Sequence, residues 1–202
     1  MARKKASVRK ETSGGKKRLP AIAGIILAAV LVMGVVGGVG AQFENRDSFC
    51  ASCHTEPEST YYQRSLDSSA ADLASAHTTH GTRCIDCHSG QGVGGRIQAM
   101  TLGAKDAVQY VTKTYTQPAP QTRPIGDVNC LKCHSGVTQG QDFNNHFHIF
   151  LPRWQALDSN AATCVDCHQG HATNGDPTIR FLNKAATVAV CDQCHRVAGE
   201  GG

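Results

Sequence analysis

The longest hydrophobic segment of this chain lies near its N-terminus. Residues 21–41 carry no charge and are rich in Ile, Leu and Val. About 20 apolar residues are enough for an α-helix to cross the hydrocarbon core of a bilayer. The segment therefore predicts a transmembrane helix over residues 19–41. A cleaved signal peptide is the alternative, because Val39-Gly40-Ala41 resembles a cleavage site, but signal peptides usually have apolar regions of only ~7–15 residues.

A second periodic segment lies in the middle of the chain, between Arg96 and Tyr115. Apolar side chains recur there at steps of three and four residues, the spacing of one helical face: Ile97, Met100, Ala104, Val108, Val111 and Tyr115. Residues 117–125 follow, with prolines at 118, 120 and 124. Because proline interrupts helices, this stretch predicts a connector between two folded parts.

The rest of the chain offers little material for a hydrophobic core. Aromatic residues make up 5% of the 202 residues, and 21 residues are glycine. We therefore expect a mainly α-helical fold with long loops and almost no strand. In such a fold, bound groups rather than side chains must form most of the core.

The formal net charge of +4 is unevenly distributed. Residues 1–18 hold eight Lys or Arg against one Glu, a balance of +7, and the other 12 basic and 15 acidic residues give −3. A basic tail beside an apolar segment is a topology signal that keeps the tail in the cytoplasm. Residues 42 onward are then expected on the periplasmic or extracytoplasmic side, and the pattern does not indicate nucleic-acid binding.

One pentapeptide, C-x-x-C-H, occurs five times and accounts for all ten cysteines. It is the attachment sequence of c-type haem. The two thiols form thioethers to one porphyrin, and the histidine supplies an axial nitrogen to the iron. The sequence thus predicts five covalently attached haems, held by Cys50, Cys53 and His54; Cys84, Cys87 and His88; Cys130, Cys133 and His134; Cys164, Cys167 and His168; and Cys191, Cys194 and His195.

Zinc is the alternative ligand of such cysteine pairs. Structural zinc sites join two C-x-x-C pairs, or one pair and a distant histidine pair, into a shell of four ligands. Five pairs cannot be grouped two by two, and zinc does not require a histidine after every second cysteine. We therefore favour haem. Five haems share the 161 residues after Ala41, so we expect the porphyrins to form the core.

The spacing of the motifs indicates an internal repeat. Their first cysteines are 34, 46, 34 and 27 residues apart, and the second and fourth motifs both read Cys-aliphatic-Asp-Cys-His, with Asp86 and Asp166. A recurring interval is typical of repeated units. We expect a first dihaem module over residues 42–116, the connector over 117–125, and a second module over 126–202 that carries three motifs.

Five histidines lie outside the motifs, and they are His77, His80, His146, His148 and His171. One spare imidazole for each iron suggests bis-histidine haems, which are closed to substrate and suited to electron transfer. We expect His77, His146 and His171 to be distal ligands. His80 and His148 are the alternatives, because each stands close in sequence to one of these three and can instead bind a propionate.

The order of the anchor and the motifs resembles the NapC/NirT family of membrane-anchored multihaem quinol dehydrogenases. The resemblance covers roughly residues 20–172, where the matching segments are Phe49-Cys50, Ser75-Ala76-His77, Gly103-Ala104-Lys105-Asp106 and Gln169-Gly170-His171. Three features depart from the family pattern. Glu56 stands where the family often has a methionine ligand of haem 1, and the fifth motif is an addition. The lysine that the family places before the Gly and Asp of its quinol site has no clear match in this chain.

The resemblance implies transfer of electrons from membrane quinol to an acceptor outside the membrane. It implies that Asp106 is the acidic residue of the quinol site, with Arg96 as the nearest basic residue before it. Haem 1 is the expected entry point, because Cys50 follows Ala41 by nine residues, a span of at most ~30 Å. The predicted helix from Arg96 then packs on haem or lies at the membrane surface beside haem 1.

Two other functions fit the same motifs. Small pentahaem subunits with one anchor also occur in alternative complex III, so the chain fits an electron-transfer subunit of a larger quinol-oxidising respiratory complex. The third possible function is that of a multihaem reductase. As a quinol dehydrogenase or as a subunit of a larger complex, the protein transfers electrons. The enzymatic activity expected of it in that role is quinol dehydrogenation.

Overall fold

A computed structural model describes residues 18–53, 56–120 and 124–199 of the chain. The α-helices of these residues are α1 (Arg18–Glu44), α2 (Asp47–Cys53), α3 (Glu58–Leu66), α4 (Leu73–Thr78), α5 (Cys84–His88), α6 (Gly92–Thr112), α7 (Asp127–His134), α8 (His146–Leu157), α9 (Cys164–Cys167) and α10 (Lys184–Gly199). Three short 3₁₀ turns cover Ser135–Thr138, Phe143–Asn145 and Pro177–Ile179. Among the described residues, β-structure is limited to one isolated antiparallel bridge between Asp176 and Leu182. The predicted mainly α-helical fold is confirmed.

The chain divides into two units, residues 1–42 and 43–202. Helix α1 contains the predicted apolar segment and continues three residues beyond Ala41 to Glu44. Its 25 residues from Pro20 to Glu44 are long and apolar enough to cross a membrane, and a window of 18 residues among them has a mean hydropathy of 2.7. By length and composition, a signal segment would meet the same criterion. The basic tail over residues 1–17 lies outside the described residues.

Helix α6 is the predicted amphipathic helix with shifted ends. It begins at Gly92 rather than Arg96, and it ends at Thr112 because Lys113 adopts a left-handed conformation with φ 57°. The apolar face is exposed: Val93, Ile97, Val108 and Val111 are between 60% and 78% accessible. After α6, residues 117–120 are non-helical as predicted, and residues 121–123 of the connector lie outside the described part of the chain.

The side-chain core is small, as the composition predicts. One cluster of buried residues joins Leu151 and Trp154 of α8 to Ala162, to Cys167 of α9 and to Val190 of α10. Phe147 and Cys194 pack against it from the two helices that carry them. The core therefore lies where the fourth and fifth motifs meet.

Candidate haem sites

Motifs two and four begin helices that are capped by their own aspartates. The backbone nitrogen of Arg83 donates a hydrogen bond to Asp86 Oδ2 at 2.9 Å, and the backbone nitrogen of Thr163 donates to Asp166 Oδ2 at 2.6 Å. An aspartate in the first turn also stabilises the positive end of the helix dipole. The aspartate shared by these two motifs thus shapes the turn that presents both cysteines.

A second pair of aspartates joins neighbouring motifs. Asp47 Oδ1 accepts a hydrogen bond from the backbone nitrogen of Cys84 at 3.0 Å, and Asp127 Oδ1 accepts one from the backbone nitrogen of Cys164 at 2.7 Å. Each aspartate stands three residues before the first cysteine of motif one or motif three. The first contact places the thiol of Cys50 beside that of Cys84. The second places the thiol of Cys130 beside that of Cys164. With haem attached as the motifs predict, these sulfurs would be thioethers.

The remaining motifs are joined by different contacts. Lys132 Nζ of motif three donates to the carbonyl oxygen of Asp86 in motif two at 3.0 Å, and to Ser89 Oγ at 3.3 Å. The backbone nitrogen of Asn183, which precedes α10, donates to the carbonyl oxygen of Cys167 in motif four at 3.0 Å. Helices α2 and α5, α5 and α7, α7 and α9, and α9 and α10 are in contact. The motifs therefore touch one another in sequence order.

Four motif histidines face a histidine from outside the motifs. The ring centroids are 6.0 Å apart for His134 and His77, 6.2 Å for His88 and His171, and 6.3 Å both for His168 and His148 and for His195 and His146. A metal–imidazole nitrogen bond is ~2.0–2.1 Å long, and the ring centroid lies ~1 Å further, so two imidazoles on opposite sides of one metal ion have centroids about 6 Å apart. All four pairs have the separation that one iron between them requires.

Four of these eight imidazoles also make hydrogen bonds that fit iron ligation. Nδ1 of His77 donates to the Leu73 carbonyl oxygen at 2.8 Å, and Nδ1 of His146 donates to that of Phe143 at 3.2 Å. His148 and His168 use Nδ1 in the same way, with Asn145 Oδ1 and the carbonyl oxygen of Arg180. A ligating histidine typically donates its second ring nitrogen to such an acceptor. In each of these four rings, Nε2 then carries the lone pair that can bind iron.

His171 is held by contacts from the first half of the chain. Arg64 Nη1 donates to the carbonyl oxygen of His171 at 3.0 Å and forms an ion pair with the buried Asp72 at 3.1 Å. Tyr61 stacks on the imidazole with ring centroids 3.9 Å apart. Nδ1 of His171 is buried without a hydrogen-bond partner, and burial lowers the pKa of the ring. The imidazole is therefore neutral at pH 7, as a metal ligand must be.

Two of the pairs cross between the predicted modules. His77, which precedes motif two, faces His134 of motif three, whereas His171, which follows motif four, faces His88 of motif two. The predicted ligands His77, His146 and His171 each face a motif histidine, and so does the alternative His148. His80 is exposed and belongs to none of the pairs found among the described residues. His54 and the side chain of Cys53, both predicted for haem 1, lie outside the described residues.

The two residues predicted for the quinol site, Arg96 and Asp106, both belong to α6. Asp106 follows Arg96 by ten residues on α6, which separates them by ~15 Å along the axis. Arg96 instead forms an ion pair with Glu44, the last residue of α1, and Arg96 Nη1 is buried without a partner. The Glu44 carboxylate is also close enough to Cys50 to act on its thiol electrostatically. Sequence reasoning missed Glu44, although it is the first carboxylate after the apolar segment.

Glu56, the residue in place of the family's methionine, has a local role. Its carboxylate accepts hydrogen bonds from Thr60 Oγ1 at 2.7 Å and from Ser59 Oγ at 2.8 Å. These bonds lower the pKa of Glu56. The Glu56 side chain is thus hydrogen-bonded to the first turn of α3.

Comparison with known proteins supports the haem assignment. The profile of the NapC/NirT cytochrome c family, N-terminal region, matches residues 15–178, and that of a doubled CXXCH motif matches residues 158–200. Cytochrome c-type protein NapC of Haemophilus influenzae is 22% identical over 168 residues, which cover 72% of this chain and 80% of NapC. Tetraheme c-type cytochrome CymA of Shewanella oneidensis is 25% identical over 176 residues, which cover 72% of this chain and 89% of CymA. No solved structure matches.

The family profile covers most of the chain, including the apolar helix and four of the five motifs. The resemblance derived from the motifs is thus confirmed, as is covalent attachment of c-type haem to C-x-x-C-H motifs. This multihaem electron-transport protein belongs to the NapC/NirT cytochrome c family.

Proposed function

We propose that this protein is a membrane-anchored pentahaem cytochrome that accepts electrons from membrane quinol beside motif one. It delivers them beside motif five to an acceptor on the periplasmic or extracytoplasmic side. The observation that carries this proposal is the order of the motif helices, which contact one another from the first to the fifth. A chain of neighbouring redox sites with two distinct ends is what directional electron transfer needs.

In this proposal the membrane anchor is α1. Its apolar side chains are exposed along the whole described length of the segment from Pro20, as lipid-facing side chains are. The basic residues of the tail keep the N-terminus in the cytoplasm. Residues 43 onward then lie on the opposite side of the membrane, where c-type haem is attached in bacteria.

The cysteines of the five motifs would hold the haems, and each motif histidine would supply one nitrogen to an iron. His171, His77 and His148 would supply the second nitrogen for the irons of motifs two, three and four. Bound haem would supply one-electron transfer, and an iron held by two imidazoles would be closed to substrate. The four histidine pairs favour electron transfer over the reductase alternative for the sites that they form.

Quinol oxidation also releases protons, which the chain must accept beside motif one. Asp106 and Glu44 are the carboxylates that the proposal assigns to this task. Arg96 holds Glu44 in place, and its Nη1, which is buried without a partner, would donate to a quinol oxygen that enters beside it. The exposed apolar face of α6 suits contact with the lipid in which quinol is dissolved.

The same apolar face supports the second candidate function. An integral membrane subunit could cover Val93, Ile97, Val108 and Val111 as well as lipid does, and the protein would then be the electron-transfer subunit of a larger quinol-oxidising complex. Extraction from the native membrane in mild detergent separates the two functions. Quinol oxidation by the isolated chain supports the first. Co-purification of integral subunits, without which quinol oxidation is lost, supports the second.

A further inference from the structure

Helix α8 begins with two histidines that point in different directions. His146 is its first residue and His148 follows two residues later, a rotation of ~200° at 3.6 residues per turn. Each faces the histidine of a different motif: His146 faces His195 of motif five, and His148 faces His168 of motif four. One helical turn thus contributes to two sites.

The core of the C-terminal region fixes this turn in place. Phe147, between the two histidines, lies on the same face of α8 as Leu151 and Trp154, and all three belong to the core or pack against it. That core also contains Cys167 of motif four and Val190 of the motif-five helix. The core face of α8 therefore packs on both motifs, and the histidines flank it on either side.

We propose that His146 is the distal ligand of the haem on motif five, so that the first turn of α8 ligates two irons. Residue 146 lies within the segment that the NapC/NirT profile matches, whereas motif five lies beyond its end at residue 178. The fifth haem is then integrated into the family region and is not a separate appendage. The inference rests on attachment of a haem to motif five, which is part of the proposed function.

The ring planes give each pair a spectroscopic signature. The imidazoles of His146 and His195 are inclined by 70° and those of His77 and His134 by 90°, whereas the other two pairs are inclined by only 21° and 16°. Near-perpendicular ligand planes give low-spin haem an EPR signal with one very large g-value. Near-parallel planes give a rhombic signal. The sites of motifs three and five therefore differ from those of motifs two and four.

The test is EPR and mass spectrometry of the full chain with His146→Ala. We expect the His146→Ala variant to keep five haems. One of them should change from low-spin to high-spin, with loss of a large-g signal. Added imidazole restores the low-spin state. His148→Ala should instead remove a rhombic signal, and His80→Ala should change nothing. If His146→Ala does not accumulate, His146→Met keeps a sixth ligand and should raise the reduction potential of one haem.

The outcomes distinguish the inference from the proposed function. A denatured mass with four haems in the wild-type protein contradicts the pentahaem assignment itself. Five haems with an unchanged EPR spectrum in His146→Ala overturn only the ligand assignment. Loss of a rhombic signal in that variant also overturns it, because His146 would then serve another motif.

Discussion

The Asp127 carboxylate accepts a hydrogen bond from the backbone nitrogen of Cys164 at 2.7 Å, and Asp47 makes the equivalent contact with Cys84 at 3.0 Å. Both contacts span 37 residues, which reflects the repeated interval of 34 residues between the motifs. In each case an aspartate three residues before one motif accepts a hydrogen bond from the first backbone nitrogen of the next motif helix. The repeat in the sequence therefore corresponds to a repeated contact.

Removal of this contact should destabilise the second repeat. Asp127→Ala leaves the nitrogen of Cys164 without its acceptor. It also removes one of the two acceptors of the Gln155 amide, which donates to the carbonyl oxygen of Ala162 as well. Loss of a helix cap of this kind costs ~1–2 kcal/mol, so the thermal unfolding midpoint of the haem-loaded protein should fall. Asp127→Asn retains one oxygen acceptor and should cost less. Equal midpoints for wild type and Asp127→Ala would contradict the assignment.

The crossed histidine pairs predict which haem responds to which substitution. His77→Ala should produce one high-spin haem with loss of a large-g EPR signal, because its pair is inclined by 90°. His171→Ala should produce one high-spin haem with loss of a rhombic signal, since its pair is inclined by 16°. The haem count should stay the same in both variants. If the two variants lose the same signal, the assignment of His77 to motif three and of His171 to motif two is wrong.

Sequence patterns predicted the motifs, the helical fold and the set of spare histidines, because these depend on residue types and local spacing. They did not predict which spare histidine faces which motif. His77 and His171 each cross to the other half of the chain, and contacts such as that of Arg64 with the carbonyl of His171 set this crossing. Glu44 was missed for a similar reason, since its partner Arg96 stands 52 residues away.

Membrane association should depend on α1 and, more weakly, on α6. A chain that lacks residues 1–41 and carries a cleavable signal should be released from the membrane fraction. Residual binding to lipid vesicles should fall further in Val108→Ser with Val111→Ser, which make the exposed apolar face polar. Gln98→Ser with Gln109→Ser, outside that face, is the matched control. A wild-type mature protein that begins at Gln42 would refute the anchor.

Acid should remove the contribution of Asp176 to stability. Hydrogen bonds from Thr178 and Lys184 lower the pKa of Asp176 to about 2. A lowered pKa means that the carboxylate stabilises the fold above its ordinary pKa of 3.8, and this stabilisation is lost as pH falls toward 2. Wild type should therefore exceed Asp176→Asn in unfolding midpoint at pH 6, and the difference should shrink as pH falls through about 2. A difference that is constant across this range would contradict the assignment.

Rapid mixing of a membrane quinol with the isolated, detergent-solubilised protein tests the central claim most directly. The absorbance of reduced c-type haem should rise, and the rise should be slower in Asp106→Asn and in Glu44→Gln. Reduction by dithionite and the number of haems should be unchanged in both variants. Failure of quinol to reduce a wild-type protein that dithionite reduces fully would contradict quinol oxidation by this chain. Equal quinol rates in wild type and both variants would remove these carboxylates from the site.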